Sequence, residues 1–505
     1  MMTLSDITLD FPAKLQARVI GDPSVEITAL THDSRDVVAG TVFVCLKGEK
    51  SDGHRFIPQA LAAGAAAIVV SDLPDQPLPV PVVVVTSTRK ALPYLAAGFY
   101  SRPSSRFGLT GVTGTNGKTT VTYMISSIFA AAGKKTGVIG TTGVKIGGVD
   151  VETHWSVSTT PESPELQKLF ATMDQAEVDE AVIEVSSHAI DQERTACCEF
   201  NTAVFTNLTQ DHLDYHKTMG AYSAAKQRLF SEYGRVFAKK PYHVVLNVDD
   251  ATGRDFTDIG VSEGFDVWTY SVDAPAARIR ATQLKVSPSG TDFTVTERGG
   301  ETYDVRVNIG GLFNVYNALA AIGATRSRGV SVAAVQQGLA TLPNVPGRFE
   351  LVDASAHGFH VLVDYAHTPD GIENVLTSAR ALKPARLICV FGCGGDRDRT
   401  KRPIMGRLAT ELADRVVITS DNPRTEDPAT IIADIVAGID PALREAKVAI
   451  EPDRRAAIRL AIREARQGDL VVIAGKGHET YQLVAGQVLE FDDRKVAREE
   501  IDACE

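Results

Sequence analysis

A glycine-rich segment, Thr113-Gly-Thr-Asn-Gly-Lys-Thr-Thr120, carries the residue types that cradle nucleotide phosphates. In such a loop, backbone N–H groups face the phosphates, Lys118 reaches the β- and γ-phosphates, and the Thr119 hydroxyl sits on Mg²⁺. The spacing is shifted from the usual G-x-x-x-x-G-K-[ST], because the first glycine position falls on Val112. The alternative is a glycine-rich turn with a solvated lysine. We predict a site for ATP or GTP formed by Gly114, Thr115, Asn116, Gly117, Lys118, Thr119 and Thr120.

Acidic and imidazole side chains follow two further apolar runs and could serve a metal ion. Glu184 ends the run Ala181-Val-Ile-Glu-Val185, and Asp211, His212, Asp214 and His216 lie in Asn207–His216. Mg²⁺ prefers oxygen ligands and often shares them with substrate phosphates, so Thr119 and Glu184 are candidates. A strand-end glutamate alone is more often a cap or an ion-paired group. Lys226, judged from its neighbours, reads as a surface lysine.

Four apolar runs near the C-terminus each end in a polar cluster. In open α/β sheets, ligands bind outside the carboxyl ends of the strands. Four such ends predict one convergent site, although polar residues cap many strands without binding anything. The clusters are Asp364-Tyr-Ala-His367, Gly392-Cys-Gly-Gly-Asp-Arg397, Ser420-Asp-Asn-Pro-Arg424 and Gly475-Lys-Gly-His-Glu479.

The elements that must position these residues fall into three blocks, 1–105, 106–343 and 344–505. Alternating strand and helix patterns in the second block predict a mainly parallel sheet with helices on both faces. Within it, 266–308 is typical of an antiparallel insertion, and Leu342-Pro-Asn-Val-Pro-Gly-Arg348 of a linker. The fold class is therefore α/β, with a central phosphate-loop ATPase domain between a smaller N-terminal α/β domain and a C-terminal Rossmann-like domain.

Composition narrows the class of protein. The chain has 505 residues, 44% of them hydrophobic, and a net charge of -11. It has no sustained Lys/Arg block, so nucleic acid is not an expected partner. No N-terminal apolar signal stands out, and the longest apolar stretches are too short to span a membrane. Six cysteines without a C-x-x-C spacing indicate free thiols and a cytoplasmic location.

Several motifs in this order resemble the Mur ligases, ATP-dependent amide-bond-forming enzymes of peptidoglycan synthesis. The resemblance spans nearly the whole chain, and the shifted phosphate loop is the family's own form. It implies an N-terminal domain for a UDP-sugar substrate, a central ATPase domain and a C-terminal domain for the incoming amino acid. It rests on Thr113–Thr119, Glu184-Val-Ser-Ser-His188, Asn207–His216, Ala225-Lys226, Gly310-Gly-Leu-Phe-Asn314, Pro346-Gly-Arg348 and Asp364–His367.

The resemblance also assigns roles around the ATP. Lys226 matches a lysine that the family carboxylates with CO₂, which would turn a cationic side chain into an oxygen ligand for Mg²⁺. Thr119, Glu184 and His212 would complete the metal sites, and Lys118, Lys226 and His212 would be catalytic. Asn314, Arg348 and Asp364 would hold ATP, with Asn317 as the alternative to Asn314.

For the UDP-muramoyl dipeptide, the resemblance places Ser34 on the uridine nucleotide. The peptide end of this substrate is acidic, so a cation such as Arg194 is suited to bind it. The residues expected at the muramoyl-dipeptide end are Ser158, Thr159, Thr160, Ser186, Gln192 and Arg194.

Asp33-Ser-Arg35, Thr159-Thr-Pro161 and the C-terminal clusters point to the branch of the family that adds the third residue of the stem peptide. ATP would phosphorylate the D-Glu carboxylate of UDP-N-acetylmuramoyl-L-alanyl-D-glutamate, and an amino group would attack the acyl phosphate. meso-Diaminopimelate carries a second carboxylate, for which Arg424 is the candidate cation. The alternative is that Arg424 merely pairs with Glu426 or Asp427. The expected amino-acid pocket is Arg397, Asp421, Asn422, Pro423, Arg424, Gly475 and Glu479.

Other functions remain open from the sequence. An L-lysine-adding ligase is the nearest alternative, followed by a folylpolyglutamate synthase or the D-Ala-D-Ala-adding Mur ligase. A regulatory or scaffold protein would be expected to lack Lys118, Glu184 or Lys226, and all three are present. The expected partners are small-molecule substrates, and the expected state is a monomer.

Overall fold

The computed structural model describes residues 2–48, 51–153 and 159–504. Ser158, predicted to contact the muramoyl dipeptide, lies outside the described residues. The strands form three main sheets and one small hairpin, and helices alternate with strands along most of the chain. The α/β class predicted from the sequence is confirmed.

The N-terminal block folds around a five-stranded sheet in the order β1-β5-β4-β3-β2. Strand β1 is antiparallel to β5, and the other pairs are parallel. β3 and β4 are buried along their whole length because apolar side chains fill both faces of the sheet. The elements are β1 (Arg18–Ile20), β2 (Ala29–Thr31), β3 (Thr41–Val44), β4 (Ala67–Val70) and β5 (Val82–Val84), with α1 (Leu4–Thr8), α2 (Ile57–Ala62) and α3 (Thr88–Phe99).

The central block holds an eleven-stranded sheet in the order β16-β15-β14-β13-β12-β11-β6-β10-β7-β8-β9. Its middle strands are parallel, as predicted. The strands are β6 (Gly108–Thr113), β7 (Thr136–Gly140), β8 (Gly143–Ile146), β9 (Val149–Val151), β10 (Glu180–Glu184), β11 (Thr202–Phe205), β12 (His243–Asn247), β13 (Asp266–Ser271), β14 (Ile279–Ser287), β15 (Gly290–Glu297) and β16 (Thr302–Val307).

The antiparallel insertion predicted over 266–308 is confirmed for β14–β16, while β13 extends the parallel part of the sheet. The helix after the phosphate loop begins at Lys118, three residues before Val121, its first apolar residue. The helices are α4 (Lys118–Ala131), α5 (Ser163–Gln175), α6 (Ser187–Asp191), α7 (Leu213–His216), α8 (Met219–Gln227), α9 (Glu232–Val236), α10 (Ala251–Ser262), α11 (Leu312–Arg326) and α12 (Val332–Ala340).

The C-terminal block has a six-stranded sheet in the order β17-β18-β22-β19-β20-β21. The four strands with polar ends, β18, β22, β19 and β20, are parallel neighbours, so their carboxyl ends share one edge as predicted. The elements are β17 (Glu350–Val352), β18 (His360–Asp364), β19 (Leu387–Phe391), β20 (Arg415–Ile418), β21 (Val448–Ile450), β22 (Leu470–Ala474), β23 (Tyr481–Val484) and β24 (Gln487–Glu490), with α13 (Pro369–Ala381), α14 (Lys401–Leu412), α15 (Pro428–Val436), α16 (Pro441–Lys447), α17 (Arg454–Glu464) and α18 (Asp493–Asp502).

One apolar core runs across the junction between the central and C-terminal blocks. Val112 and Ile125 belong to it on the central side, and Leu362 and Leu376 on the C-terminal side. Phe349, in the connecting segment, is 1% exposed and joins the two. The apolar clusters of the N-terminal block are separate from this core.

Two further expectations concern the thiols and the membrane. All six cysteines are free, and all except Cys504 are buried. Burial raises the pKa of Cys45 and of Cys389 to about 12, so these thiols stay protonated near neutral pH. Among the described residues, we find no helix with the length and apolar character needed to cross a bilayer.

Candidate functional site

The phosphate loop connects strand β6 to helix α4. Gly117, the residue before the helix, has a φ of 85°, a left-handed conformation that favours glycine. A Cβ atom there would lie 2.3 Å from Oδ1 of Asn317, and one on Gly114 would lie 1.9 Å from Oγ1 of Thr206. Both glycines are thus required by close approach as well as by conformation. The Asn116 carbonyl accepts a hydrogen bond of 2.6 Å from Thr206, which holds the loop against β11.

Two lysines converge on one carbonyl of this loop. Lys118 Nζ donates to the carbonyl oxygens of Gly114 at 3.1 Å and Thr115 at 2.8 Å, and Lys226 Nζ donates to Gly114 at 2.9 Å. Lys226 is 1% exposed, so the surface position suggested by its neighbours is wrong. Burial, and then the nearby Lys118 ammonium, lower the pKa of Lys226 well below its usual range. A neutral amine is thereby favoured at a buried position beside the nucleotide loop.

Glu184 ends β10 and is 1% exposed. Its carboxylate accepts hydrogen bonds from Thr141, from the backbone N at 2.9 Å and from the hydroxyl at 3.1 Å. No described Lys, Arg or His lies within ion-pairing distance of it, so the ion-paired interpretation does not hold. Thr141 was not among the predicted site residues; its position follows from a contact 43 residues apart in the chain.

The donor set of the described residues fits Mg²⁺ in part. Within the described ranges, no group of three or more His, Cys, Asp or Glu side chains could hold a metal ion by itself. This agrees with the way Mg²⁺ binds, through one or two carboxylates together with substrate phosphates. Thr119 and Glu184 supply suitable oxygens, whereas Lys226 fits only after its amine becomes an anionic oxygen group.

His212 lies in a cluster of rings beside the loop. Its ring packs edge-on against His188, with centroids 4.7 Å apart, and its Nε2 lies 3.3 Å from Asp211 Oδ2. Burial, and then His212, lower the pKa of His188 to about 4. His188 is therefore neutral near pH 7, and the cluster adds no positive charge through that ring.

Asn314 and Asn317 lie one turn apart on α11 and are both buried. Asn314 donates to the Gly310 carbonyl at 2.7 Å, and Asn317 donates to Asn314 Oδ1 at 2.9 Å. Asn317 is the one that contacts the phosphate loop, at Gly117. Asn314 thus orients Asn317, and it is the Asn317 side chain that faces the predicted ATP site.

Arg348 reaches the loop from the segment that connects the blocks. Its Nη2 donates to the Thr119 hydroxyl at 3.2 Å, and its guanidinium lies 4.4 Å from the centre of the Tyr365 ring. Asp364 accepts from the backbone N atoms of Phe349 at 2.7 Å and Ala366 at 2.8 Å. The carboxylate of Asp364 therefore fixes the segment that carries Arg348.

Four residues predicted for the muramoyl dipeptide come together beside Glu184. Thr160 donates to the Glu184 carbonyl at 2.8 Å and accepts from the Ser186 backbone N at 3.0 Å. Arg194 donates to the Thr160 carbonyl at 2.9 Å and to Gln192 Oε1 at 2.7 Å. Arg194 also pairs with Glu162 at 3.1 Å, a partner that the sequence did not suggest.

Of the remaining two substrate candidates, Thr159 lies beside that group and Ser34 lies apart from it. The Thr159 hydroxyl lies 3.1 Å from that of Thr141, which ties it to the Glu184 side of the site. Ser34 is in the N-terminal block, where its hydroxyl donates to Gln59 Oε1 at 3.3 Å. The structure gives no described hydrogen bond between Ser34 and the other predicted substrate residues.

A cavity of about 460 Å³ lies between the central and C-terminal blocks. It is lined by predicted residues from both sides of the site and by several that the sequence analysis did not select. Lys401 and Asp370 are examples of the latter, and Asp370 also accepts a hydrogen bond from Asn116 of the phosphate loop. The predicted residues that line it are His212, Arg397, Asp421, Asn422, Arg424, Gly475 and Glu479.

Arg424 is positioned in this cavity without an acidic partner. Its Nη1 donates to the Gly395 carbonyl at 2.8 Å, and no described carboxylate lies within 4 Å of it. Glu426 pairs with Arg402 at 2.8 Å, and Asp427 caps α15, so the predicted alternative in which either pairs with Arg424 is wrong. Pro423 lines no part of the cavity, but its carbonyl packs against Gly395, where a Cβ would lie 1.9 Å away.

Three family models match the chain in order. The Mur ligase family, catalytic domain, matches residues 26–100, the Mur ligase middle domain matches 112–325, and the Mur ligase, glutamate ligase domain, matches 347–477. A UDP-N-acetylmuramoyl-L-alanyl-D-glutamate--2,6-diaminopimelate ligase of Syntrophomonas wolfei is 46% identical over 474 residues, 94% of each chain. The ligase of the same name from Geobacillus thermodenitrificans is 46% identical over 481 residues, 95% of each chain.

A solved structure of a ligase with that name is also similar, with a TM-score of 0.68, 32% identity and 99% of each chain covered. The chain belongs to the Mur ligase family. It is accordingly an ATP-dependent amide-bond-forming ligase with the family's three-domain α/β architecture.

Proposed function

We propose that this ligase adds meso-2,6-diaminopimelate to UDP-N-acetylmuramoyl-L-alanyl-D-glutamate, with ATP, in peptidoglycan biosynthesis. The observation that carries the proposal is Arg424, a guanidinium with no described acidic partner. It lines a cavity with Asp421, whose Oδ2 has no hydrogen-bond partner among the described residues. Such a cavity suits an amino acid with both an ammonium and a carboxylate at its far end. The names of the similar proteins support the same substrate.

The proposed reaction has two steps. The carboxylate of the D-Glu residue attacks the γ-phosphorus of ATP, which gives an acyl phosphate and ADP. The amino group of diaminopimelate then attacks the acyl carbon, and phosphate leaves. Phosphoryl transfer depends mainly on positioning and on charge neutralisation. Lys118, which donates to the carbonyls of the phosphate loop, and Arg348, which donates to the Thr119 hydroxyl, supply cations where charge develops.

Lys226 is proposed to carry a carbamate derived from CO₂. Only a neutral amine attacks CO₂, and the lowered pKa of Lys226 favours that form. Formation of the N–C bond, with loss of one proton from the nitrogen to solvent, would give an oxygen anion beside Gly114, with Thr119 and Glu184 as further oxygen ligands and His212 nearby. Bound Mg²⁺ would neutralise charge on the phosphates. Until the carbamate forms, the hydrogen bond to the Gly114 carbonyl holds the amine against the loop.

The three blocks are proposed to divide the work. Residues 1–105 would bind the UDP end through Ser34, 106–343 would bind ATP and the muramoyl dipeptide, and 344–505 would bind the amino acid. We further propose that the enzyme acts as a cytoplasmic monomer on small-molecule substrates and without nucleic acid. The cavity between the second and third blocks is where the acyl phosphate and the amine would meet.

A phosphate-release assay tests this proposal. The protein is incubated with ATP, Mg²⁺ and UDP-N-acetylmuramoyl-L-alanyl-D-glutamate, and meso-diaminopimelate, L-lysine or D-Ala-D-Ala is added in turn. We expect release with diaminopimelate only, and none in the Lys118→Ala variant or when the UDP substrate is omitted. Comparable kcat/KM for L-lysine and diaminopimelate would overturn the choice of amino acid, and release with none of the three would overturn the proposed substrates altogether.

A further inference from the structure

Lys476 is a buried cation beside the amino-acid cavity to which none of the proposed steps gives a role. Its side chain is 0% exposed. Its ion-pair partner among the described residues is Glu479, with Nζ 3.1 Å from Oε2. Burying a lysine is costly unless its charge is compensated. Lys476 is compensated by Glu479 and follows Gly475, and both of these residues line the cavity, so its hydrogen bonds bear directly on the groups of that cavity.

Lys476, Asn422 and Glu479 form a closed triangle of hydrogen bonds. Lys476 Nζ donates to Asn422 Oδ1 at 3.1 Å, and Asn422 Nδ2 donates to Glu479 Oε2 at 2.7 Å. The backbone N of Leu483 also donates to Asn422 Oδ1, at 2.9 Å. The Lys476 ammonium and the Leu483 backbone N–H can only donate hydrogen bonds, so the Asn422 atom that faces them must be the amide oxygen and not the amide nitrogen.

This triangle decides which groups can receive a substrate ammonium. An amide oxygen has two lone pairs, and those of Asn422 are occupied by Lys476 and Leu483. Glu479 Oε2 is occupied by Lys476 and Asn422, which leaves Oε1. Asp421 Oδ2 is buried and has no hydrogen-bond partner among the residues that the structure describes. The free acceptors are thus on Glu479 and Asp421, and Asn422 is excluded.

We propose that Lys476 is a positioning residue for amino-acid selection: it turns Glu479 so that one carboxylate oxygen faces the cavity, and it withdraws Asn422 from ammonium binding. The inference deepens the proposed function, since it requires that the cavity takes an amino acid. The cation acts through Glu479 and Asn422 and does not itself touch the substrate. Its loss should raise the KM for the amino acid more than it lowers kcat.

The test is a double-mutant cycle with Lys476→Met and Glu479→Gln, measured by phosphate release. Lys476→Met should raise the KM for diaminopimelate by about 10- to 100-fold, the effect of leaving a buried polar group unpaired. The KM values for ATP and for the UDP substrate should stay within about twofold. If Lys476 acts through Glu479, the double variant should be little worse than either single variant, because neighbouring groups in one network are not additive.

Lys447→Met is the matched control, since Lys447 lies in the same sheet-and-helix unit and its hydrogen bonds within the described residues go to the carbonyls of Thr410 and Ala413. It should leave every KM unchanged. Additive effects in the double variant, or equal losses in the KM values of all three substrates, would overturn the inference. Failure of this inference can be distinguished from failure of the proposed function. The cycle is measured with whichever amino acid the unaltered enzyme uses, and an enzyme that uses none of them contradicts the proposed function instead.

Discussion

The replacement of Arg424 by methionine should abolish the enzyme's preference for diaminopimelate over L-lysine. The two amino acids differ at the far end, where only diaminopimelate has a carboxylate. Arg424 uses one N–H on the Gly395 carbonyl, at 2.8 Å, and its remaining donors have no described acidic partner. A guanidinium has five N–H groups, and those on Nε and Nη2 remain, which is enough for a bidentate contact with that carboxylate.

The magnitude follows from these contacts. Hydrogen bonds to charged groups contribute about 1.5–3 kcal/mol each. Arg424 is only half-buried, so we take the lower value for two bonds, about 3 kcal/mol, which corresponds to roughly 150-fold in kcat/KM. The loss of the bond to Gly395 affects both amino acids equally and cancels in their ratio. The kcat/KM for L-lysine should change by less than about threefold, since lysine has no carboxylate to lose.

The assay is phosphate release at saturating ATP and UDP substrate, with each amino acid varied separately. Arg407→Met provides a control, because Arg407 lies on α14 with its side chain 51% exposed and pairs with Glu411. A preference for diaminopimelate that survives in Arg424→Met at its original strength would show that another group reads the distal carboxylate. In that case Arg397, which also lines the cavity, becomes the residue to examine.

Three further outcomes are expected. Lys226→Ala should lose about 100-fold or more of kcat, and added formate or acetate should restore part of it; full activity without rescue would contradict the carbamate. Arg454→Met should lower the free energy of unfolding by about 3–5 kcal/mol, because it leaves Asp493 as a buried unpaired charge. The two side chains are paired at 2.6 Å, and Asp493 is 0% exposed. Urea unfolding should show a smaller loss in the double variant Arg454→Met/Asp493→Leu. Burial lowers the pKa of His188 from 6.5 to about 4 and that of His478 from 6.5 to about 3. As the pH falls, the unfolded chain therefore takes up protons before the folded protein does, and the free energy of unfolding should decrease between about pH 6.5 and pH 4. The decrease should be shallower in His188→Gln.

Sequence reasoning was most successful where a motif coincides with an element boundary. The phosphate loop and the four polar strand ends were located correctly, because short apolar runs followed by glycine or acidic residues define both the strand and its carboxyl end. The apolar pattern of α4 begins only at Val121 and therefore does not mark the start of the helix, which lies at Lys118, directly after the left-handed Gly117.

Contacts between segments that are distant in the chain could not be predicted from the sequence. Lys226 looked exposed from its neighbours because its burial comes from the phosphate loop, 112 residues away at Gly114. Thr141 gave no local signal for the same reason. Lys476 lies within the predicted polar cluster Gly475–Glu479 but was not singled out, because its role is defined by the amide and carboxylate that it meets. The family resemblance corrected the prediction for Lys226, but it gave no role to Thr141 or Lys476.

The apolar core shared by the second and third blocks bears on how this ligase can be dissected. A cut at 343/344 would follow the boundary drawn from the sequence, but it would leave the Phe349 region and the inner face of α13 facing water. Each of the two fragments would then expose apolar surface that is buried in the intact protein. The N-terminal block has apolar clusters of its own and is the better piece to express alone, but its helix α3 also contacts the central block, where Tyr94 packs against Phe237 and Arg89 pairs with Glu162. Residues 106–505 are better kept together for crystallisation or inhibitor screening.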